Sequence, residues 1–292
     1  MSDVTSALRA YADKFEAALP DFLPGGDFPV EQAMRYSMEN GGKRIRPALA
    51  MAFCELFGGK LEQAMPLAIA IEMVHCYSLI HDDLPCMDND DFRRGKPSCH
   101  KQFGEATAVL AGDALLTEAF TCIVDNDLSA EVKYQAVWLL SNAAGFRSMI
   151  GGQQLDLQYE NTSATLVQLM EMNRKKTGAL LLASCLLGCV VAGVISPEPK
   201  YYTAHAYADS LGLLFQLTDD ILDVTGNQEV LGKTIGKDEA AGKSTWVSIL
   251  GLEKARKTAL EYAQKAREAI APYAGPGHFL YELPGWLIVR NA

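Results

Sequence analysis

What the sequence lacks narrows it first. Basic residues are outnumbered, 26 Lys+Arg against 36 Asp+Glu, and the formal net charge of −10 opposes a nucleic-acid partner. No segment is dominated by Pro, Ser or one sign of charge, and apolar residues, 49% of the 292, run throughout, which excludes a disordered chain. CxxC spacing is absent: Cys54, Cys76, Cys86, Cys99, Cys122, Cys185 and Cys189 are odd in number and lie mostly in apolar runs, as in a reduced intracellular chain. The opening MSDVTSALRAYADKF has no long apolar run of the secretory kind, so the cytoplasm is the expected setting. Residues 179–195 carry no charge, but seventeen residues fall short of the ~20 that span a bilayer. With Gly188 and Gly193 inside it and Ser196-Pro197 at its end, this stretch reads as a buried core helix, and no stable membrane insertion is expected. Gly-x-Ser-x-Gly, a Rossmann GxGxxG and a P-loop are missing, and Cys99-His100 has no partner pair at zinc spacing.

Helical periodicity is what the sequence does have. Leu8, Tyr11, Phe15 and Leu19 recur at three to four residues, as do Met65, Ile69, Met73 and Tyr77, then Tyr207, Leu211 and Leu214. No sustained alternation of β-branched residues accompanies them. The pattern predicts an all-α chain of roughly ten to twelve helices. Breaks fall at residues 20–29, Asn40-Gly41-Gly42, Gly58-Gly59, 85–97, Gly151-Gly152, 196–199, 226–242 and 272–277. None is long enough for an interdomain linker and no repeat stands out, so one domain over residues 1–292 is expected.

The most unusual segment crowds Asp82, Asp83, Asp88, Asp90 and Asp91 into ten positions behind the apolar run 67–80. Carboxylates gathered at the end of a core helix repel one another unless cations neutralise them. A solvated acidic loop is the alternative at this point; a calcium loop fits worse, because neither register supplies both Gly at the sixth and Glu at the twelfth position. A second cluster, Asp219-Asp220-Ile221-Leu222-Asp223, also follows an apolar run, 211–217, and sets Asp219 and Asp223 at i, i+4 on one face. Two such clusters on neighbouring helices offer hard oxygen ligands of the kind Mg²⁺ accepts alongside waters and substrate phosphates.

Phosphate binding in an acidic protein requires local cations. Four groups supply them: Lys43-Arg44-Ile45-Arg46, Arg93-Arg94-Gly95-Lys96, Arg174-Lys175-Lys176, and the series Lys233, Lys237, Lys243. Each alone reads equally as a solvated helix end. Lys43 and Arg46, however, fall at a helix start after two glycines, where backbone N–H groups and the helix dipole add to their charge. Arg93 and Arg94 follow the first acidic cluster directly and suit bidentate phosphate contacts. His75 lies two helical turns before Asp82, on the same face.

These residues together resemble the trans-isoprenyl diphosphate synthase family. Asp82-Asp83, four residues, Asp88, then Arg93-Arg94 and later Asp219-Asp220-Ile221-Leu222-Asp223 carry the resemblance. Gly41-Gly42-Lys43-Arg44-Ile45-Arg46-Pro47, Lys176-Thr177-Gly178, Phe215-Gln216 and Gly232-Lys233-Thr234 stand in the matching order. The resemblance implies a single large helical bundle around a central cavity, a homodimer, and about three Mg²⁺ per site. It implies that Asp82 and Asp88 bind two of the ions and Asp219 a third, with Asp83, Asp220 and Asp223 completing the catalytic acidic motifs. Arg93, Lys176, Thr177, Gln216, Lys233 and Lys243 would contact an allylic diphosphate, Lys176 and Lys233 as catalytic cations. Lys43, Arg46, His75 and Arg94 would hold isopentenyl diphosphate.

The implied reaction is head-to-tail condensation of isopentenyl diphosphate with dimethylallyl or geranyl diphosphate. Tyr77, five residues or about 7.5 Å of helix before Asp82, would floor the product tunnel. With Ser78 behind it, this resembles the bacterial members that stop at the C15 product, farnesyl diphosphate; a C20 product is the nearest rival. A non-catalytic subunit of a synthase complex would be favoured by loss of an acidic motif, and both are intact. The departure lies at the end, where Gly275-Pro276-Gly277-His278 and Leu283-Pro284-Gly285-Trp286 replace the expected plain helix and basic tail, with Arg290 standing in for part of the latter.

Overall fold

The computed structural model describes residues 2–160, 162–226 and 243–290. Its helices are α1 (Ser2–Ala18), α2 (Pro29–Met38), α3 (Ile45–Leu56), α4 (Leu61–Asp82), α5 (Cys99–Phe103), α6 (Glu105–Val124), α7 (Ala130–Ala144), α8 (Met149–Tyr159), α9 (Leu166–Asn173), α10 (Ala179–Val191), α11 (Pro199–Thr225), α12 (Trp246–Leu250), α13 (Leu252–Ile270) and α14 (Phe279–Val289). A 3₁₀ turn (Leu19–Phe22) and a π turn (Arg174–Gly178) extend α1 and join α9 to α10. The expected ten to twelve helices are exceeded because α5 and α12, five residues each, are too short for periodicity to reveal. A two-stranded ribbon, Phe92–Arg93 against Lys96–Pro97, was not expected from the sequence at all. Its turn needs two residues with positive φ, supplied by Arg94 (φ 54°) and Gly95 (φ 79°).

The apolar run before the first acidic cluster becomes α4, whose middle from Leu67 to Val74 is fully enclosed. It packs against α3, α6 and α10, while α10 also meets α7 and α11, and α11 lies along α13. The uncharged stretch at 179–195 is the buried helix α10, ending at Val191. By length and composition alone, α4 and α6 are apolar enough to cross a bilayer. They differ in cover: 72% of the apolar window of α4 is buried, against 39% of that of α6.

One buried arginine pins the loop before α3. Arg44 adopts a left-handed conformation (φ 48°) at the helix start and sends its guanidinium inward. Its Nε bonds Glu16 Oε1 at 2.7 Å, its Nη1 bonds Glu72 Oε1 at 2.9 Å, and its Nη2 donates to the Met38 carbonyl. Each of its three nitrogens makes a bond within the protein, so Arg44 anchors the loop and leaves Lys43 and Arg46 nearby for the site.

The unusual C-terminus forms α14 with Pro284 inside it. Proline has no N–H, so the Leu280 carbonyl loses its helical donor. The buried Tyr207 hydroxyl takes that place at 2.8 Å. Arg267 Nε donates to the next carbonyl, Tyr281, at 3.2 Å, and its guanidinium lies so close to Gly285 that a Cβ there would come within 2.1 Å of it. The Pro-Gly pair is therefore stapled from α11 and α13. Tyr207→Phe strands a buried carbonyl and should cost about 1–3 kcal/mol in urea denaturation. Most of that loss should vanish in a Pro284→Ala background, where residue 284 regains its N–H.

Candidate active site

The first acidic cluster is shaped by a backbone turn. Asp82 ends α4, and the Asp88 N–H donates back to the Asp82 carbonyl at 2.9 Å while Asn89, at φ 50°, donates to Leu84. This fold-back brings the Asp88 carboxylate near that of Asp82. Burial, with Asp88 and Asp83 adding to it and Lys176 and Arg93 opposing, lifts the Asp82 carboxyl to about 6. Asp83 points elsewhere: it is buried, and Arg93 grips both its oxygens through Nε at 3.1 and 3.2 Å and through Nη2. Arg93 also lies 3.6 Å from Asp90. Asp83 thus orients Arg93 beside the metal-type carboxylates.

The second cluster divides in the same way. Asp220 is buried with both oxygens committed, accepting from Gln216 Nε2 at 2.9 Å and from the Trp246 N–H that begins α12 at 2.8 Å. In this way Asp220 holds Gln216 and the start of α12 in place. Asp219, one position earlier, is only partly buried and accepts from Arg290 Nη2, which also bonds Thr218 Oγ1 at 3.2 Å. Arg290 lies over the Phe215 ring, 4.5 Å from its centroid. Asp223 is buried one turn beyond Asp219.

A single turn stands between the two clusters. The π turn packs its backbone on Gly152, where a Cβ would come within 2.2 Å of the Lys176 nitrogen, so α8 and this turn can meet only through glycine. Lys176 bonds Asp156 at 2.5 Å, and its charge also reaches Asp82. The adjacent Thr177 donates to Gln216 at 3.1 Å, one helical turn before Asp219 and Asp220. Lys243 lies 3.6 Å from Asp88, 3.7 Å from Asp156 and 3.8 Å from Glu160. Sequence reasoning missed Asp156 and Glu160, which carry no cluster of their own and gain meaning only from lysines distant in the chain. Lys233 falls outside the described residues.

On the other side, Arg46, His75 and Arg94 share one field, and Lys43 lies by Arg290 and Asp219. Gly42, at φ 115°, has the Arg94 guanidinium beneath it, and a Cβ would sit 2.5 Å from its central carbon. Arg94 Nη1 donates to the Gly41 carbonyl. Burial and then the fields of Arg46, Arg94, Arg93 and Arg44 hold His75 neutral. Burial, with Arg290 nearby, pushes the Lys43 ammonium down to about 8. Burial also lowers Arg46, whose buried Nε has no partner among the described residues. Cations depressed by burial and by one another, with an unsatisfied donor among them, are suited to a polyanion. Tyr77 is buried with its hydroxyl unpartnered among the described residues, its ring edge-on to His81 at 5.7 Å. Ser78 bonds back to the His75 carbonyl in its own helix.

Among the described residues no three acidic, His or Cys side chains converge as a metal cage. Asp82 with Asp88, and Asp219 opposite, instead offer one or two carboxylates each. That donor set fits Mg²⁺, which keeps waters and accepts phosphate oxygens to complete its octahedron.

Comparison with known proteins agrees with this geometry. The polyprenyl synthetase family model matches residues 29–272. The chain is 41% identical to a farnesyl diphosphate synthase of Bacillus subtilis, over 99% of this chain and 95% of that protein. It is 47% identical to a chloroplastic geranylgeranyl pyrophosphate synthase of Capsicum annuum, over 82% of this chain and 66% of that one. Its fold matches a Helicobacter pylori geranyltransferase solved with magnesium and isoprenyl diphosphate, at a TM-score of 0.84 and 33% identity, over 98% of this chain and 96% of that one. The chain belongs to the polyprenyl synthetase family.

Proposed function

We propose that this prenyltransferase condenses isopentenyl diphosphate head-to-tail with dimethylallyl and then geranyl diphosphate, giving farnesyl diphosphate. The observation that carries the reading is the pair of acidic clusters on either side of the Lys176-Thr177 turn, with a separate cationic group beyond. One diphosphate suits each half. Asp82, Asp88 and Asp219 would hold Mg²⁺ together with diphosphate oxygens and water, about three ions by the family resemblance. Bound there, Mg²⁺ supplies Lewis-acid withdrawal from the leaving oxygen.

The chain's own residues do the rest. Arg93, Lys176 and Lys243 bring fixed positive charge to the allylic diphosphate, and Lys233 joins them by resemblance. Lys43, Arg46 and Arg94 hold the second diphosphate, to which neutral His75 offers one N–H. As the allylic C–O bond ionises, the isopentenyl double bond forms the new C–C bond, and a proton leaves to the departed diphosphate. Water would intercept the cation, so the apolar wall of the bundle is part of the chemistry.

The whole chain works as one domain in this reading, and its seven free cysteines suit a reducing cytoplasm. It works as a homodimer. Helix α6 leaves Val109, Leu110 and Val124 exposed and α7 leaves Tyr134 and Trp138 exposed, apolar side chains that a second copy would cover. Light scattering should give twice the chain mass, and Trp138→Asp should shift it to the monomer; a monomeric parent protein would overturn the dimer.

Incubation with Mg²⁺, isopentenyl diphosphate and geranyl diphosphate, followed by dephosphorylation, should yield farnesol. Tyr77→Ala should lengthen the products by opening the floor. Geranylgeraniol from the parent protein would instead support the C20 reading that the Capsicum relative favours, and no new alcohol would overturn the synthase reading.

A further inference from the structure

Trp286 is the part of the C-terminal departure that the reaction leaves unexplained. It follows the Pro284-Gly285 pair in α14, whose preceding carbonyls are held by Tyr207 and Arg267. Its indole N–H donates to Thr5 Oγ1 of α1 at 3.1 Å, which fixes the ring against rotation. The Lys43 Nζ lies over that ring, 5.5 Å from its centroid, within the range of cation–π attraction.

The loop that carries Lys43 is anchored through Arg44, whose side chain is bonded into the bundle. The lysine side chain is not constrained by that backbone, since four carbons separate its charge from Cα. Around it the field is mixed: Arg290 repels the ammonium and Asp219 attracts it. An aromatic face attracts a cation without neutralising it, so it can hold the charge in place and still leave it available to an anion.

We propose that Trp286 is a positioning residue for the isopentenyl diphosphate half of the site, its ring holding the Lys43 ammonium where that diphosphate binds. This rests on the reading that Lys43 binds diphosphate. Trp286 itself touches neither substrate.

Steady-state kinetics with saturating Mg²⁺ test it. Trp286→Leu should raise KM for isopentenyl diphosphate about fivefold while kcat and the KM of geranyl diphosphate stay within twofold. Trp286→Phe, which keeps an aromatic face, should recover most of the loss. In a Lys43→Ala background Trp286→Leu should have no further effect, because its influence passes through the lysine. An unchanged KM in Trp286→Leu, or the same rise in the Lys43→Ala background as in the parent, would overturn the proposal while leaving the diphosphate reading intact. A Lys43→Ala protein with unchanged KM for isopentenyl diphosphate would overturn that reading and the proposal with it.

Discussion

Carboxylates held at the end of an apolar bundle need cations, and the site is organised by where those cations come from. Asp82 shows the unmet need: burial and its acidic neighbours push its carboxyl up to about 6. Asp83, Asp156 and Asp219 each meet theirs with a partner from elsewhere in the chain, namely Arg93, Lys176 and Arg290. Buried charge left unpaired is strongly destabilising, so these contacts hold the metal-free protein together as well as preparing it for substrate. The cationic half has the opposite problem. Arg46 and His75 crowd together with Arg94, Lys43 lies by Arg290, and burial depresses Lys43, Arg46 and His75 alike. In the proposed reading, the allylic diphosphate with Mg²⁺ would answer the acidic half and the second diphosphate the cationic half.

Glycine and left-handed backbone make that crowding possible. Gly42 clears room for the Arg94 guanidinium, and Gly152 lets α8 approach the Lys176 backbone. Arg44 commits its charge to Glu16 and Glu72, which leaves Lys43 and Arg46 for the site. In each case the local geometry is unfavourable for an ordinary residue and is repaid by contacts made far away in sequence.

The all-α fold and the two acidic clusters were legible in the sequence because their signals are local: apolar spacing of three to four, and aspartates packed into ten and five positions. The split of roles within each cluster was only partly legible. Asp83 and Asp220 look like their neighbours, and only the structure shows Arg93 on one and Gln216 with the Trp246 N–H on the other. Asp156 was invisible, a lone aspartate whose partners Lys176 and Lys243 arrive through folding. Arg290 reads in the sequence as a remnant of a basic tail, but its contact with Asp219, 71 residues earlier, arises only through folding. The ribbon at Phe92 escaped because two residues per strand carry no period.

The central claim is that the acidic clusters are incomplete without both Mg²⁺ and the allylic diphosphate, so metal and diphosphate must bind as a coupled pair. Isothermal titration of Mg²⁺ into the protein, alone and with an unreactive allylic diphosphate analogue, tests this most directly. The account predicts at least tenfold tighter Mg²⁺ binding with the analogue, and an equal gain in analogue affinity when Mg²⁺ is present, as linkage requires. Equal Mg²⁺ affinity with and without the analogue would contradict it.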